Sequence, residues 1–140
     1  MNMLGVRRPE VYGRTTLADI EKMVRKRGEE LGFDVDWRQS NYEGELITWI
    51  HETRDKIAGI IINPAGLTHT SVALYDALLI ATCPYIELHM ANTEAYEEYR
   101  KLAYIRPKAT GVICAFGANG YVLAMDGIKM TLDQPETAMP

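Results

Sequence analysis

The sequence predicts an α/β domain in three layers, a parallel sheet covered by helices on both faces. Stretches of helical hydrophobic period alternate with strand-like stretches along the chain, the pattern of right-handed crossovers between parallel strands. Two strand-like stretches, "AGIIINP" and "GVICAFG", are continuous apolar runs, as strands buried on both faces should be. A length of 140 residues suits one domain around a single core.

The elements follow in order. "TTLADIEKMVRKRGEELG" places Leu17, Ile20, Met23, Val24 and Leu31 at helical spacing, with Thr16 as N-cap and Gly32 as stop. "FDVDWRQ" alternates apolar and polar residues and reads as a strand with one exposed face. "EGELITWIHETRDK" returns to the helical period through Leu46, Ile47, Trp49 and Ile50, and "AGIIINP" is the next strand, ended by Asn63-Pro64. "HTSVALYDALLIA" reads as a helix, "YIELHM" as a strand, "TEAYEEYRKLA" as a helix, "GVICAFG" as a strand and "NGYVLAMDGI" as a last helix. The expected domain spans 1–128, and 129–140 reads as a loose polar tail. Four strands are legible, and the chain opens on "MNMLG" and a loop where this rhythm normally begins with a strand.

Composition narrows the function classes. A formal net charge of -4, with no basic stripe interleaved with aromatics, gives no pull towards nucleic acid. There is no membrane-length apolar run and no signal-peptide pattern, so the expectation is a cytoplasmic protein. Cys83 and Cys114 lie far apart without metal spacing and read as buried thiols in a reducing cytoplasm rather than a disulfide. No Gly-rich phosphate loop, CxxC pair, HExxH or GxSxG occurs, and "GANG" at 117–120 is too short to use.

Ligands of parallel α/β sheets sit beyond the carboxyl ends of the strands. That rule selects 63–69, 87–92 and the opening loop. Glu87 and His89 stand two apart on one strand and so share a face. A carboxylate there can hold one imidazole nitrogen's proton and fix the tautomer, or the two can pair for structural reasons alone. Asn63 can donate to a ligand or tie down its own loop. In "LTHTS", Thr68, Thr70 and Ser71 are candidate helix caps, and His69 is open between capping and ligand contact. Asp76 follows His69 by roughly two helical turns. His51 reads as solvated, and Trp37 and Trp49 as packing residues.

Taken together, "LGVRRPEVYGRTTLADIE", "RQSNYEGELITWIHE", "GIIINPAGLTHTSVALYDAL", "IELHMAN" and "GVICAFGANGY" resemble type II 3-dehydroquinate dehydratase, from residue 4 to about 121. The resemblance implies a flavodoxin-like three-layer sandwich, trimers packed into a dodecamer, and neither metal nor organic cofactor. It implies a lyase of the shikimate or quinate pathways that removes water from 3-dehydroquinate by anti elimination through an enolate, giving 3-dehydroshikimate. Tyr12 would be the base, with Arg7 beside it on a mobile lid. His89 would be the acid, oriented by Glu87. Asn63, His69 and Arg100 would hold substrate hydroxyls, and backbone amides near Met90 and Ala91 the carboxylate. Asp76 would reach towards a neighbouring subunit's site. A free tyrosine has a pKa of about 10, and a guanidinium within a few ångströms can lower that value by ~1–3, which makes the phenol a workable base.

The chain also departs from the family pattern. The family opens approximately with an apolar strand and Gly-Pro-Asn, and the chain starts after it. The expectation is therefore a truncated first, central strand that leaves two strands unpaired. Ala91 stands for a usual Ser, Tyr96 for an Arg, Glu94 for a His, Tyr75 for an Arg and Arg8 for an acid. The loss of rim cations should weaken an anionic substrate. Three alternatives follow: a scaffold without turnover, a dehydratase of a related cyclic hydroxy-keto acid, or another flavodoxin-like module. A receiver would need Asp and Lys where Asn63 and Gly117 stand, and a flavin binder would need a phosphate loop.

Overall fold

The structure, a computed structural model, describes residues 1–134, apart from the side chains of Val11 and Tyr12. Its centre is a parallel sheet of β1 (Ile60–Ile62), β2 (Tyr85–His89) and β3 (Gly111–Cys114), with β2 in the middle. Ile61 lies opposite Ile86 across β1–β2, and His89 lies opposite Cys114 across β2–β3. The helices are α1 (Pro9–Tyr12), α2 (Leu17–Leu31), α3 (Glu43–Thr53), α4 (Val72–Ile80) and α5 (Asn119–Asp133).

The period-2 rule sorts β2 between two cores. Ile86 and Leu88 face Ile20 and Val24 of α2 and Tyr121, Ala124, Met125 and Ile128 of α5. Tyr85 faces the other layer, packed with Ile50 of α3, Leu74 and Leu78 of α4, and Ile105. Glu87 and His89 share the Tyr85 side of the strand. Burial of the large aliphatic side chains among them, each worth about 1.5–3 kcal/mol, fixes which face of β2 carries polar groups.

Several sequence expectations hold at the level of single atoms. Thr16 forms a capping box on α2: its hydroxyl accepts from Asp19 N–H at 3.2 Å, and Asp19 accepts from Thr16 N–H at 2.9 Å. Gly32 ends α2 in the left-handed region, φ 80°. Ser71 caps α4 by accepting from Leu74 N–H at 2.9 Å. Trp37 packs on Tyr121, ring centroids 5.8 Å apart. Cys83 and Cys114 are free thiols, half-buried rather than fully enclosed. Among the described residues no helix is long and apolar enough to cross a membrane.

Four expectations are corrected. The stretch 33–39 alternates in burial as expected, but it is not a strand, because no partner strand lies beside it among the described residues. Alternation encodes a buried face; a ladder also needs a neighbour. Phe33 N–H bonds Gly28 O at 2.7 Å and Arg25 donates to Val35 O at 2.8 Å, so other parts of the chain meet backbone groups there. Among the described residues the sheet therefore has three strands rather than four. The expected helix "TEAYEEYRKLA" is two 3₁₀ turns, Thr93–Ala95 and Glu98–Lys101. It lacks an apolar stripe to bury, and Asn92 Oδ1 accepts from Glu94 N–H at 3.1 Å, tightening the first turn. The last helix runs on to Asp133, into the expected tail, supported by a Lys129–Asp133 ion pair at 3.1 Å. The opening loop contains α1, whose Pro sits at the first helical turn.

Candidate active site

The carboxyl ends of the strands open on a cavity of about 300 Å³. β1 delivers Asn63, β2 delivers His89, Met90 and Ala91, and the opening segment delivers Arg7. His69 and Arg100 also line it, so these residues, distant in sequence, meet at one cavity. Glu87 sits one strand step behind His89. Asp76 is exposed on α4 and is not part of the cavity wall. The side chain of Tyr12 lies outside the described residues; its backbone closes α1.

The buried end of the site is a three-residue chain. Glu87 is 0 % exposed, and its Oε1 accepts from His89 Nε2 at 2.7 Å. Arg106 grips the same carboxylate through two donors, Nη2 to Oε1 at 2.9 Å and Nε to Oε2 at 3.2 Å. Burial opposes ionisation of Glu87 more than any other single influence, but the hydrogen bonds from His89 and Arg106 and the charges behind them outweigh it. Its carboxyl is held below the ordinary Glu range. An ionised Glu87 can only accept, so Nε2 carries the hydrogen of this bond and Nδ1 is the ring nitrogen left over for other chemistry.

The remaining polar groups are individually fixed. Asn63 does tie down its loop: Oδ1 accepts from Ala65 N–H at 3.2 Å, in a turn where Ala65 takes φ 50°. Its Nδ2 donates one hydrogen to Tyr121 Oη at 3.1 Å and keeps a second. Burial pushes the Tyr121 phenol up to about 12, so it acts there as a neutral acceptor. His69 caps no helix; its Nδ1 donates to Leu102 O at 2.6 Å, which leaves Nε2 for the cavity. Arg100 pairs with Glu97 at 3.0 Å and lies over the rings of Tyr96 and Tyr99 at 5.3 and 5.6 Å. Met90 O accepts from Gly117 N–H at 2.9 Å, joining the ends of β2 and β3. Tyr96 and Ala91, two of the departures from the family pattern, both face the cavity.

Arg106 was not legible as a site residue. It lies outside the strand ends, after fully buried Ile105, whose carbonyl accepts from Tyr85 Oη at 2.6 Å. The available signal was a cation just before a strand that pairs with the Glu87 strand. Among the described residues no group of three or more His, Cys, Asp or Glu side chains is placed to hold a metal ion.

The chain has close relatives in sequence and fold. The family model of class II dehydroquinase matches residues 1–129. The 3-dehydroquinate dehydratase of Rhizobium meliloti is 51% identical over 129 residues, covering 92% of this chain and 87% of that one. The 3-dehydroquinate dehydratase of Dinoroseobacter shibae is 47% identical over 140 residues, covering 100% of this chain and 93% of its own. A crystal structure of type II dehydroquinase from Propionibacterium acnes superimposes with a TM-score of 0.88 at 37% identity, over 92% of this chain and 89% of that one. Its likeness gives the flavodoxin-like α/β arrangement of the sheet and helices. By sequence and by fold, the chain belongs to the class II dehydroquinase family.

Proposed function

We propose that the protein is a 3-dehydroquinate dehydratase, a hydro-lyase that forms 3-dehydroshikimate by anti elimination. The observation that supports this reading is the buried Glu87–His89 pair at 2.7 Å, standing at the wall of a cavity shared with Arg7, Asn63, His69 and Arg100. The family and its relatives' names supply the substrate.

Tyr12, as phenolate, takes the proton from the carbon between the ketone and the carbinol carbon, and the C–H electrons move into an enolate. Arg7 supplies the charge that favours the phenolate. The enolate then re-forms the ketone while the carbinol C–O bond breaks. His89, as imidazolium, passes its Nδ1 proton to the departing oxygen, so water leaves and a conjugated enone remains. Glu87 stabilises the imidazolium through Nε2–H. Asn63, His69 and Arg100 orient substrate hydroxyls, and the backbone near Met90 and Ala91 receives the carboxylate. Asp76, exposed on α4, serves a neighbouring subunit's site within trimers of a dodecamer. The same chemistry serves cytoplasmic shikimate biosynthesis and quinate catabolism.

Adding 3-dehydroquinate to the protein should raise enone absorbance in proportion to protein concentration. No rise at high protein concentration overturns the reading. One observation favours a second reading: Tyr96, not an arginine, faces the cavity. A related, less anionic cyclic hydroxy-keto acid would then be dehydrated with the higher kcat/KM.

A further inference from the structure

We propose that Arg106 is a positioning residue for His89, acting through Glu87: it holds the carboxylate in the orientation that accepts the Nε2–H hydrogen bond and leaves Nδ1 for the cavity. The inference rests on the dehydratase reading for its kinetic consequence, but its structural content is separate.

The geometry separates positioning from substrate binding. Arg106 does not line the cavity, and its Nη2 and Nε donors are both spent on Glu87. Oε1 is the shared atom, accepting from Arg106 Nη2 at 2.9 Å and from His89 Nε2 at 2.7 Å. Oε2 takes Arg106 Nε at 3.2 Å. A carboxylate with only the imidazole as partner can rotate about its last torsion, which is broad for Glu. A guanidinium fork on both oxygens removes that freedom, and the imidazole plane then follows the fixed oxygen.

Arg106 is itself held in place. Ile105 before it is 0 % exposed, its carbonyl is bound by Tyr85 Oη at 2.6 Å, and Pro107 follows within the 3₁₀ turn Arg106–Lys108. The Tyr85 phenol, pushed up to about 12 by burial, stays a neutral donor. Tyr85 and Glu87 lie on the same side of β2, so one strand face anchors both the turn that carries the arginine and the carboxylate it grips. The arginine side chain is 33% exposed, which gives substitutions there room to be accommodated.

The test uses Arg106→Gln and Arg106→Lys in the whole protein, with two readouts. The first is ¹⁵N NMR of the imidazole rings, His89 being assigned by its loss in His89→Gln. The wild-type ring should show protonated Nε2 and bare Nδ1 when neutral. Arg106→Gln should mix the tautomers, and Arg106→Lys should largely restore the single form. The second is steady-state kinetics with 3-dehydroquinate. Arg106→Gln should lower kcat roughly 10- to 100-fold with KM within about threefold, as for a group acting on the acid and not on substrate binding. Arg106→Lys should recover kcat to within about tenfold of wild type. A tautomer unchanged in Arg106→Gln overturns the proposal, as does a loss that falls on KM alone. If the wild type shows no turnover while the ring signature responds, the dehydratase reading fails and the positioning role stands. Should Arg106→Gln not fold, Arg106→Lys decides: the wild-type ring signature supports the proposal, and mixed tautomers overturn it.

Discussion

Replacing Glu87 by glutamine changes the centre of the site with almost no change in shape. The native carboxylate meets three N–H donors, at 2.7, 2.9 and 3.2 Å, in a position where the residue is 0 % exposed and water cannot substitute. An amide has one oxygen. With that oxygen at Oε1 it keeps His89 and Arg106 Nη2 as partners, but its nitrogen then faces Arg106 Nε, donor against donor. With the amide turned over, two donors are opposed instead of one. The better arrangement loses one charge-assisted bond and weakens two, each bond to a charged group being worth about 1.5–3 kcal/mol. Relief of the carboxylate's burial offsets part of this loss. The expected net destabilisation is about 2 kcal/mol, a fall in Tm of roughly 4–10 °C for a chain of this size. The imidazolium also loses its anionic partner, so kcat should fall about 100-fold, within the range general acids contribute. Calorimetry and the enone assay measure the two quantities. A variant with wild-type Tm and kcat within about threefold would refute the claim that Glu87 is an ionised partner of His89.

Further predictions concern other parts of the account. The folded Glu87 carboxyl lies below its ordinary value of 4.5, so its stabilisation is complete above that pH and is lost as pH falls through the lower folded value. Urea midpoints between neutrality and acid should therefore drop more for the wild type than for Glu87→Gln, and equal drops would contradict this. Thr16→Ala removes the α2 capping box and should lower stability by about 1 kcal/mol in urea unfolding, leaving kcat unchanged. Arg100→Gln should raise KM for 3-dehydroquinate about tenfold with kcat within about threefold, because the guanidinium that Glu97 and two rings hold at the cavity wall would no longer bind substrate. An unchanged KM in steady-state kinetics would remove Arg100 from the binding set.

What the sequence disclosed follows from how local each determinant is. The caps of α2 were legible because Thr16 and Gly32 act within a turn of where they stand. The shared face of Glu87 and His89 was legible because a strand has a strict period of two. The stretch 33–39 misled because its alternation reports a buried face and is silent about whether a neighbour supplies the hydrogen bonds. Residues 93–101 misled because Tyr96 and Tyr99 pack against the Arg100 guanidinium instead of forming a helical stripe. Arg106 was invisible for a similar reason: its partner lies 19 residues away and is reached only through the pairing of β2 with β3. The role of His69 stayed open until Ser71 proved to be the cap and Leu102 O the partner of Nδ1.

The decisive measurement is the turnover number of His89→Gln on 3-dehydroquinate, with substrate affinity followed by calorimetry. Elimination through an imidazolium donor requires kcat to fall at least about 100-fold while Kd stays within about tenfold. A His89→Gln protein that releases water at the wild-type rate would show that the proton reaches the leaving oxygen by another route.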